Sequence, residues 1–494
     1  MGFVGNNSFP ASIVPMPSKV TVQDNYIDFQ AAGFEQWAQQ YLPELYEAEV
    51  ERYGNRTIGG FLRMVGAEMP MTSDQVIWTE QNRLHIAYDT VQVAAGANST
   101  VTVTITPGAG NPATSAIRVG NTILISDNAT GLVTAKALVT SLAAGGNGYI
   151  FDAILYETTA AGIPAGIVTG AATNSLFVYG SEFPKGSLGM AGAVEPGVTT
   201  HKNSPIILKD NYELSGSDVA QIGWIEVATE DGQSGYLWYL KAESETRLRF
   251  EDYLETAMVE GVKQANVNAN TQFGAQFGDA SASQIKGTEG LFSALNDRGN
   301  VYSGFAGAAA PGAGALGDFD EILKQLDKQG AIEENMLFLS RATALDFDDM
   351  LAAVNGAYAS TQAASYGLFE NDGDMALNFG FSGFRRGSYD FYKTDWKYLN
   401  DITLRGSDNE IDGVMIPAGT TTVYDQMLGS NIRRPFLHVR YRASETEDRK
   451  MKSWITGSVG GAFTSDLDTM RVNFLSERCL VVQAANNFVL FKGA

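Results

Sequence analysis

The stretch Glu243–Gln264, ESETRLRFEDYLETAMVEGVKQ, does most to limit what this chain can become. Phe250, Leu254, Met258 and Val262 recur every four residues, with Tyr253 and Ala257 beside them, so a helix of about six turns carries one apolar stripe. Its other sides hold Glu245, Arg247, Arg249, Glu251, Asp252, Glu255, Glu260 and Lys263. A helix with one apolar face must lie against something, and the strand-like run Tyr236–Leu240 just before it makes that something a sheet. The spacing predicts a long brace on a sheet, a scaffold element rather than a seat of chemistry.

The 494 residues leave room for two or three domains. Aromatics make up 11% of the chain, enough apolar bulk to argue against global disorder. Cys479 is the single cysteine, so neither an intrachain disulfide nor a thiolate zinc site is indicated. No basic segment followed by an apolar run opens the chain, and no uninterrupted apolar stretch nears about 18 residues, which speaks against an export signal and a membrane span. Fifty-six acidic side chains against 34 basic ones give a net charge of -22. That balance opposes broad nucleic-acid binding, because cations must replace the counterions condensed on phosphates. It also obliges any close self-association to pair its acids or keep them from the contact. Glycine supplies 53 residues without a three-residue period, which excludes collagen and implies many turns.

Residues 1 to 30 lack the makings of a core: Pro10, Pro15 and Pro17 interrupt regular structure, while Phe9, Ile13 and a few others offer scattered apolar contacts. The segment reads as a disordered tail or as an arm crossing another subunit. Further on, Val76, Trp78 and Glu80 set against Leu84, Ile86 and Tyr88 across Gln81-Asn82-Arg83 predict a two-stranded hairpin, marginal if isolated. From Ala94 to Gly180 charges become sparse, and STVTVTI, AIRVGNTILIS, GLVTAKALVTSL and GYIFDAILYE follow one another between glycine-rich turns. This predicts a small all-β module, sandwich or open barrel, inserted in a host domain. Its alternating run Ser99–Ile105 is an edge-pairing hazard unless covered.

Past Gly317, Asp318 and Glu321 resemble a capping box opening a helix that Gly330 stops. Glu334–Leu339 reads as a strand and Ala342–Val354 as a helix with Leu345, Met350, Leu351 and Val354 inward. Strand-like runs follow at Ala376–Phe381, Asp401–Leu404, Thr420–Met427 and Leu437–Tyr441, and Trp454–Gly493 is again rich in strands. The sum is an α+β host broken by a long insertion.

Residues that carry chemistry are scarce. His85, His201 and His438 lie far apart, and none has a second histidine or cysteine at ligand spacing, whereas zinc needs several such ligands converging. Cys479 enters the apolar run CLVV and reads as a buried, inert thiol. Asp346 and Asp349 share a helix face, but Asn371–Asp374 and Ser465–Thr469 lack the ligand series of a calcium loop. No nucleophile elbow, phosphate loop or dinucleotide loop is present. No catalytic, cofactor-binding or metal residue is assigned, and an enzyme is not expected.

The opening MGFVGNNSFP, the run VIWTEQNRL, the brace, KGTEGLFSALNDRGN, FDEILKQLDKQGAIEENMLFLS and the closing NNFVLFKG together resemble the major capsid proteins of tailed bacteriophages, most closely those of crAss-like phages of Bacteroidota. The resemblance implies the capsid (HK97-like) α+β fold with an inserted all-β domain. Residues 1–71 would be the amino-terminal arm and the start of the peripheral region, 72–93 an extended loop over a neighbour, and 94–200 the outward-facing insertion. Residues 201–316 would form the peripheral domain with its spine helix, 317–450 mainly the axial domain, and 451–494 a return to the axial and peripheral core. Phe9 and Ile13 on the arm and Trp78 and Arg83 on the loop are the expected assembly contacts.

Function would then be self-assembly, as pentamers and hexamers, into an icosahedral shell around double-stranded DNA held without sequence-specific binding. A portal protein and capsid auxiliary or decoration proteins are the implied partners, with no cofactor and no membrane. The implied location is the virion, after assembly in the bacterial cytoplasm. The alternatives are an encapsulin-like compartment shell or another phage structural protein.

Overall fold

A computed structural model describes residues 60–493 other than 66, 82–83, 107–114, 128–130, 144–148, 158–163, 165, 169–170, 196, 222–225, 229–233, 266–285, 304–312, 331, 349–381, 407, 409, 426–429 and 460–462. The chain divides into two compact units, Thr79–His201 and the residues on either side of that stretch. No helix of the described residues is long and apolar enough to cross a membrane.

In the unit Thr79–His201, six strands close into a barrel: Ala87–Ala95, Thr100–Ile105, Asn121–Asp127, Thr134–Leu142, Ile150–Leu155 and Asn174–Ser181. Around the wall they follow the order first, second, fifth, fourth, third, sixth. Strict alternation builds it: along Thr100–Ile105 the threonines face out while Val101, Val103 and Ile105 join Ile123, Ile125, Phe151 and Ala153 inside. Closure removes the predicted hazard, because Thr100–Ile105 is paired on one side with the first strand and on the other with the fifth.

The expected hairpin does not form. Ala87–Ala95 is held on both edges within the barrel, so Val76–Gln81 finds its partner in Val198–Asn203 instead. The barrel also begins at Ala87, ahead of the expected boundary at residue 94.

The other unit rests on two sheets. In the first, the long strand Thr469–Val482 is central. Ile206–Ser215 runs antiparallel along one side of it, Lys452–Gly457 and Leu437–Arg442 share the other, and Glu68–Met71 adds in parallel beyond Leu437–Arg442. Across it lies the predicted brace, the helix Leu237–Glu260. Phe250 and Leu254 pack among Tyr212, Leu214, Met470, Val472 and Phe474, with the Phe250 and Phe474 rings 5.8 Å apart. One turn on, Met258 and Val259 enter a second cluster with Leu291, Leu295, Leu480, Val482 and Leu490.

Both ends of the brace differ from expectation. Tyr236 closes a short strand, Ser234–Tyr236, and the helix begins at Leu237, so most of the expected strand Tyr236–Leu240 is helical. At the other end the helix stops at Glu260, leaving Val262 67% exposed rather than in the stripe. The stop is a backbone-to-backbone contact in which Gly290 N donates to Gly261 O at 2.8 Å and Gln264 N to Lys286 O at 2.9 Å. A Cβ on Gly290 would lie 2.5 Å from Gly261 N.

The second sheet has six strands in the order Asn300–Ser303, Val489–Lys492, Ile411–Pro417, Glu334–Leu339, Tyr389–Asp395, Ser382–Arg386. Its adjacent strands Ile411–Pro417 and Val489–Lys492 are buried on both faces, which is why the terminal FVLF is apolar without alternation. Val489 and Phe491 join Phe319, Ile322 and Leu326 of the helix Ala313–Gln329, while Leu490 faces the cluster around Leu291.

That helix starts before Asp318, so Asp318 is internal and caps nothing; Gly330, at φ 71°, ends it as the sequence indicates. Residues 341–348 are helical with Ala344 and Phe347 buried, but Leu345 points outward at 54% exposed, while Met350, Leu351 and Val354 lie outside the described residues. Asp401–Leu404 is a turn rather than a strand, because the Asp401 carboxylate accepts bonds from Thr403 N (2.9 Å) and Thr403 Oγ1 (2.7 Å). The expected strand Ala376–Phe381 falls outside the described residues.

Gly290 has φ −87°, open to any residue, so the effect of Gly290→Ala is purely steric. We expect the substitution to lower unfolding stability by about 1–3 kcal/mol through overpacking. Urea denaturation of the two chains side by side measures it, and an unchanged midpoint would show that this contact yields freely.

Candidate assembly site

The expected assembly contacts meet different fates. Phe9, Ile13 and Arg83 lie outside the described residues. Trp78, expected to anchor a loop on a neighbouring subunit, is only 7% exposed within its own chain. Its ring lies beneath the Arg298 guanidinium, 5.6 Å from the ring centroid, so most of its surface is already used.

Trp78 belongs to a two-stranded ribbon, Val76–Gln81 paired with Val198–Asn203, by which the chain runs out to the barrel and back. The returning strand is fixed by Asn203. Its buried amide donates to Glu289 O (3.0 Å) and Leu480 O (2.7 Å) and accepts from Glu289 N (2.9 Å) and Ser204 N (2.9 Å). Glu289 in turn holds Arg298 at 2.9 Å and Lys263 at 3.2 Å. Both strands of the ribbon therefore grip the segment 288–298, one through Trp78 on Arg298 and the other through Asn203 on Glu289. Sequence reasoning assigned Asn203, Glu289 and Arg298 no role, although KGTEGLFSALNDRGN stood out; a polar residue whose partners are main-chain atoms leaves no spacing to read.

Two further groups fix the approach to the ribbon. Glu477 sits between Arg442 (2.7 Å) and Arg449 (3.0 Å), and Arg442 also pairs with Asp74, just ahead of Val76. Glu255 of the brace accepts from Gly60 N (2.5 Å) and Phe61 N (3.2 Å), and the Phe61 ring stacks on Trp396 at 4.2 Å. Burial pushes the Glu255 carboxyl above its ordinary range despite these bonds.

The residues considered for chemistry remain separate. His85 is exposed, and His201 lies 3.8 Å from Glu80 across the ribbon. His438 is buried with Nδ1 3.0 Å from Pro435 O; burial, aided by Arg440 and Arg434, pushes its imidazole down to about 4. Burial pushes the Cys479 thiol up to about 12, far from a nucleophile's range. Asp346 and Asp412 interact, but Asp349 and the run Asn371–Asp374 lie outside the described residues. Among the described residues, no group of three or more His, Cys, Asp or Glu could hold a metal ion.

No family model matches the chain, and no curated protein matches it. Among solved structures it is similar to one from Mycobacterium phage Bobi, 8% identical, covering 91% of this chain and 96% of that one at a TM-score of 0.36. It is similar to the capsid of the cyanophage P-SCSP1u, 8% identical, covering 95% and 96% at a TM-score of 0.35. The capsid of a native GTA particle is 10% identical, with 95% and 99% covered at a TM-score of 0.35. Likeness at this level leaves the functional reading to the chain's own residues.

Trp78→Ala is expected to cost the unassembled subunit about 3–5 kcal/mol, as removal of a buried ring does. Chemical denaturation of the isolated subunit checks this; full stability with impaired association would return Trp78 to an intersubunit role. His438 gives a pH dependence. The unfolded imidazole takes its proton near 6.5 and the folded one only near 4, so its contribution is complete above 6.5 and lost as pH falls from 6.5 to 4. At about 1.36 kcal/mol per unit this reaches at most roughly 3 kcal/mol. Urea midpoints should fall through that window in the native chain and fall less in His438→Gln.

Proposed function

We propose that this chain is a major capsid protein of a tailed bacteriophage, built on the HK97-like fold with a barrel inserted in its extended loop. What carries the reading is the convergence of the passages that resemble that family. KGTEGLFSALNDRGN receives the end of the brace and leads into the strand beside NNFVLFKG, and FDEILKQLDKQGAIEENMLFLS supplies a helix and a strand of the same six-stranded sheet. Residues far apart in sequence thus form one core. On this reading the sheet under the brace is the peripheral region and the six-stranded sheet the axial one, with residues before 60 as the arm.

Copies would assemble as pentamers and hexamers into an icosahedral shell around double-stranded DNA, joined by a portal and by auxiliary proteins, in the bacterial cytoplasm. The net charge of -22 suits a wall that contains DNA without adhering to it. Within that family the proposal extends to the crAss-like phages of Bacteroidota, on the resemblance of the same passages taken together.

Electron microscopy of the purified full chain under assembly conditions is expected to show closed particles with five-fold and six-fold clusters. A single species of a few subunits across the concentrations and salts that drive such assembly would overturn the proposal. Particles filled with protein rather than DNA, recovered from infected cells, would favour a compartment shell.

A further inference from the structure

The outer wall of the barrel bears a strip of apolar side chains. Ile154, Tyr156, Phe177 and Tyr179 project outward, each between 44% and 48% exposed. Strand register sets them side by side. Ile154 lies opposite Leu138, Lys136 opposite Leu124, and Leu124 opposite Phe177. Tyr156 N donates to Lys136 O at 3.0 Å, and Phe177 and Tyr179, two residues apart on one strand, share a side. The strip therefore crosses four adjacent strands, a continuity that soluble monomers seldom leave uncovered. Because the barrel is closed, anything that binds here meets side chains rather than a backbone edge.

Charged groups accompany the strip. One is the Lys136 ammonium, and another is the Glu182 carboxylate, which accepts a bond from the Tyr156 hydroxyl. Burial, with this carboxylate adding to it, pushes the Tyr156 phenol up to about 12, so it remains a donor. Asp152, on the same outward side of its strand as Ile154, is a further carboxylate of this wall and accepts bonds from the Thr102 and Ser141 hydroxyls. The unit Thr79–His201 as a whole holds seven acidic and four basic side chains, whereas the chain has 56 and 34.

These features select the occupant. A chain of net charge -22 repels its own copies, and the unit Thr79–His201, with seven acidic and four basic side chains, carries only a small part of that excess. A two-fold contact needs a patch complementary to itself, and a cation beside an anion on an apolar strip meets that need. An anionic polymer would call for cations in excess. We propose that the wall is a contact between two copies of this chain, strip against strip, with Lys136 of each copy facing Glu182 of the other.

The contact does not depend on shell formation and is tested apart from it. Unlabelled and nitrogen-15-labelled full-length chains are mixed before assembly and treated with a carbodiimide, which joins an amine to a carboxylate only at contact distance. Peptides linking Lys136 of one isotope to Glu182 of the other are the expected product. Phe177→Ser combined with Tyr179→Ser should cut that product by roughly ten-fold or more, since aromatic anchors dominate such contacts. Lys136→Glu alone should abolish it, and adding Glu182→Lys should restore a link between the same two positions. Links of a single isotope only, or no link at all, would overturn the proposal. So would an undiminished link in the Phe177→Ser, Tyr179→Ser chain. If that double substitution lowers the thermal midpoint, the decision rests on the charge exchange, which leaves the barrel core untouched.

Discussion

The host unit depends on one pairing, the brace helix against the long strand Thr469–Val482. Both pass through the same two apolar clusters: Phe250 and Leu254 meet Met470, Val472 and Phe474 in one, and Met258 and Val259 meet Leu480 and Val482 in the other. Burying those four helix side chains contributes up to roughly 6–12 kcal/mol, an upper bound because the unfolded chain already hides some of their surface. A folded domain retains only about 5–15 kcal/mol in total. Neither cluster can be lost without loosening the other, since a single helix and a single strand are common to both.

The glycines at the end of the brace extend the same logic. Gly261 and Gly290 let two backbones approach to hydrogen-bonding distance, which places Leu291 and Leu295 where Met258 and Val259 need neighbours. From there the chain enters the six-stranded sheet at Asn300, beside the terminal strand Val489–Lys492, so the two sheets share the cluster around Leu291. The insertion solves a different problem. Its strands carry few charges and would pair with any free edge, and closing the ring satisfies every strand within the module.

What the sequence disclosed follows from which signals are local. The brace, the strand Glu334–Leu339 and the stop at Gly330 were legible because period and a single glycine define them. The partner of Val76–Gln81 was not, because it lies more than a hundred residues away and neighbouring runs offered a plausible hairpin. Leu345 was placed inward on apolarity alone, whereas Ala344 and Phe347 occupy that face. The resemblance, through its extended loop, set Trp78 on a neighbouring subunit, and the Arg298 guanidinium over its ring could be found only in three dimensions.

The ribbon has a consequence for how such a chain can change. Its strands, Val76–Gln81 and Val198–Asn203, are hydrogen-bonded neighbours, and paired strands lie only about 5 Å apart. The chain therefore departs and comes back at nearly one point, whatever is carried beyond. A tight turn would reconnect the two strands without re-threading the host, as would any foreign domain whose own ends lie close together. The barrel is, in that sense, cargo on a handle: a module that recombination or a designer can exchange while the clusters of the host stay as they are.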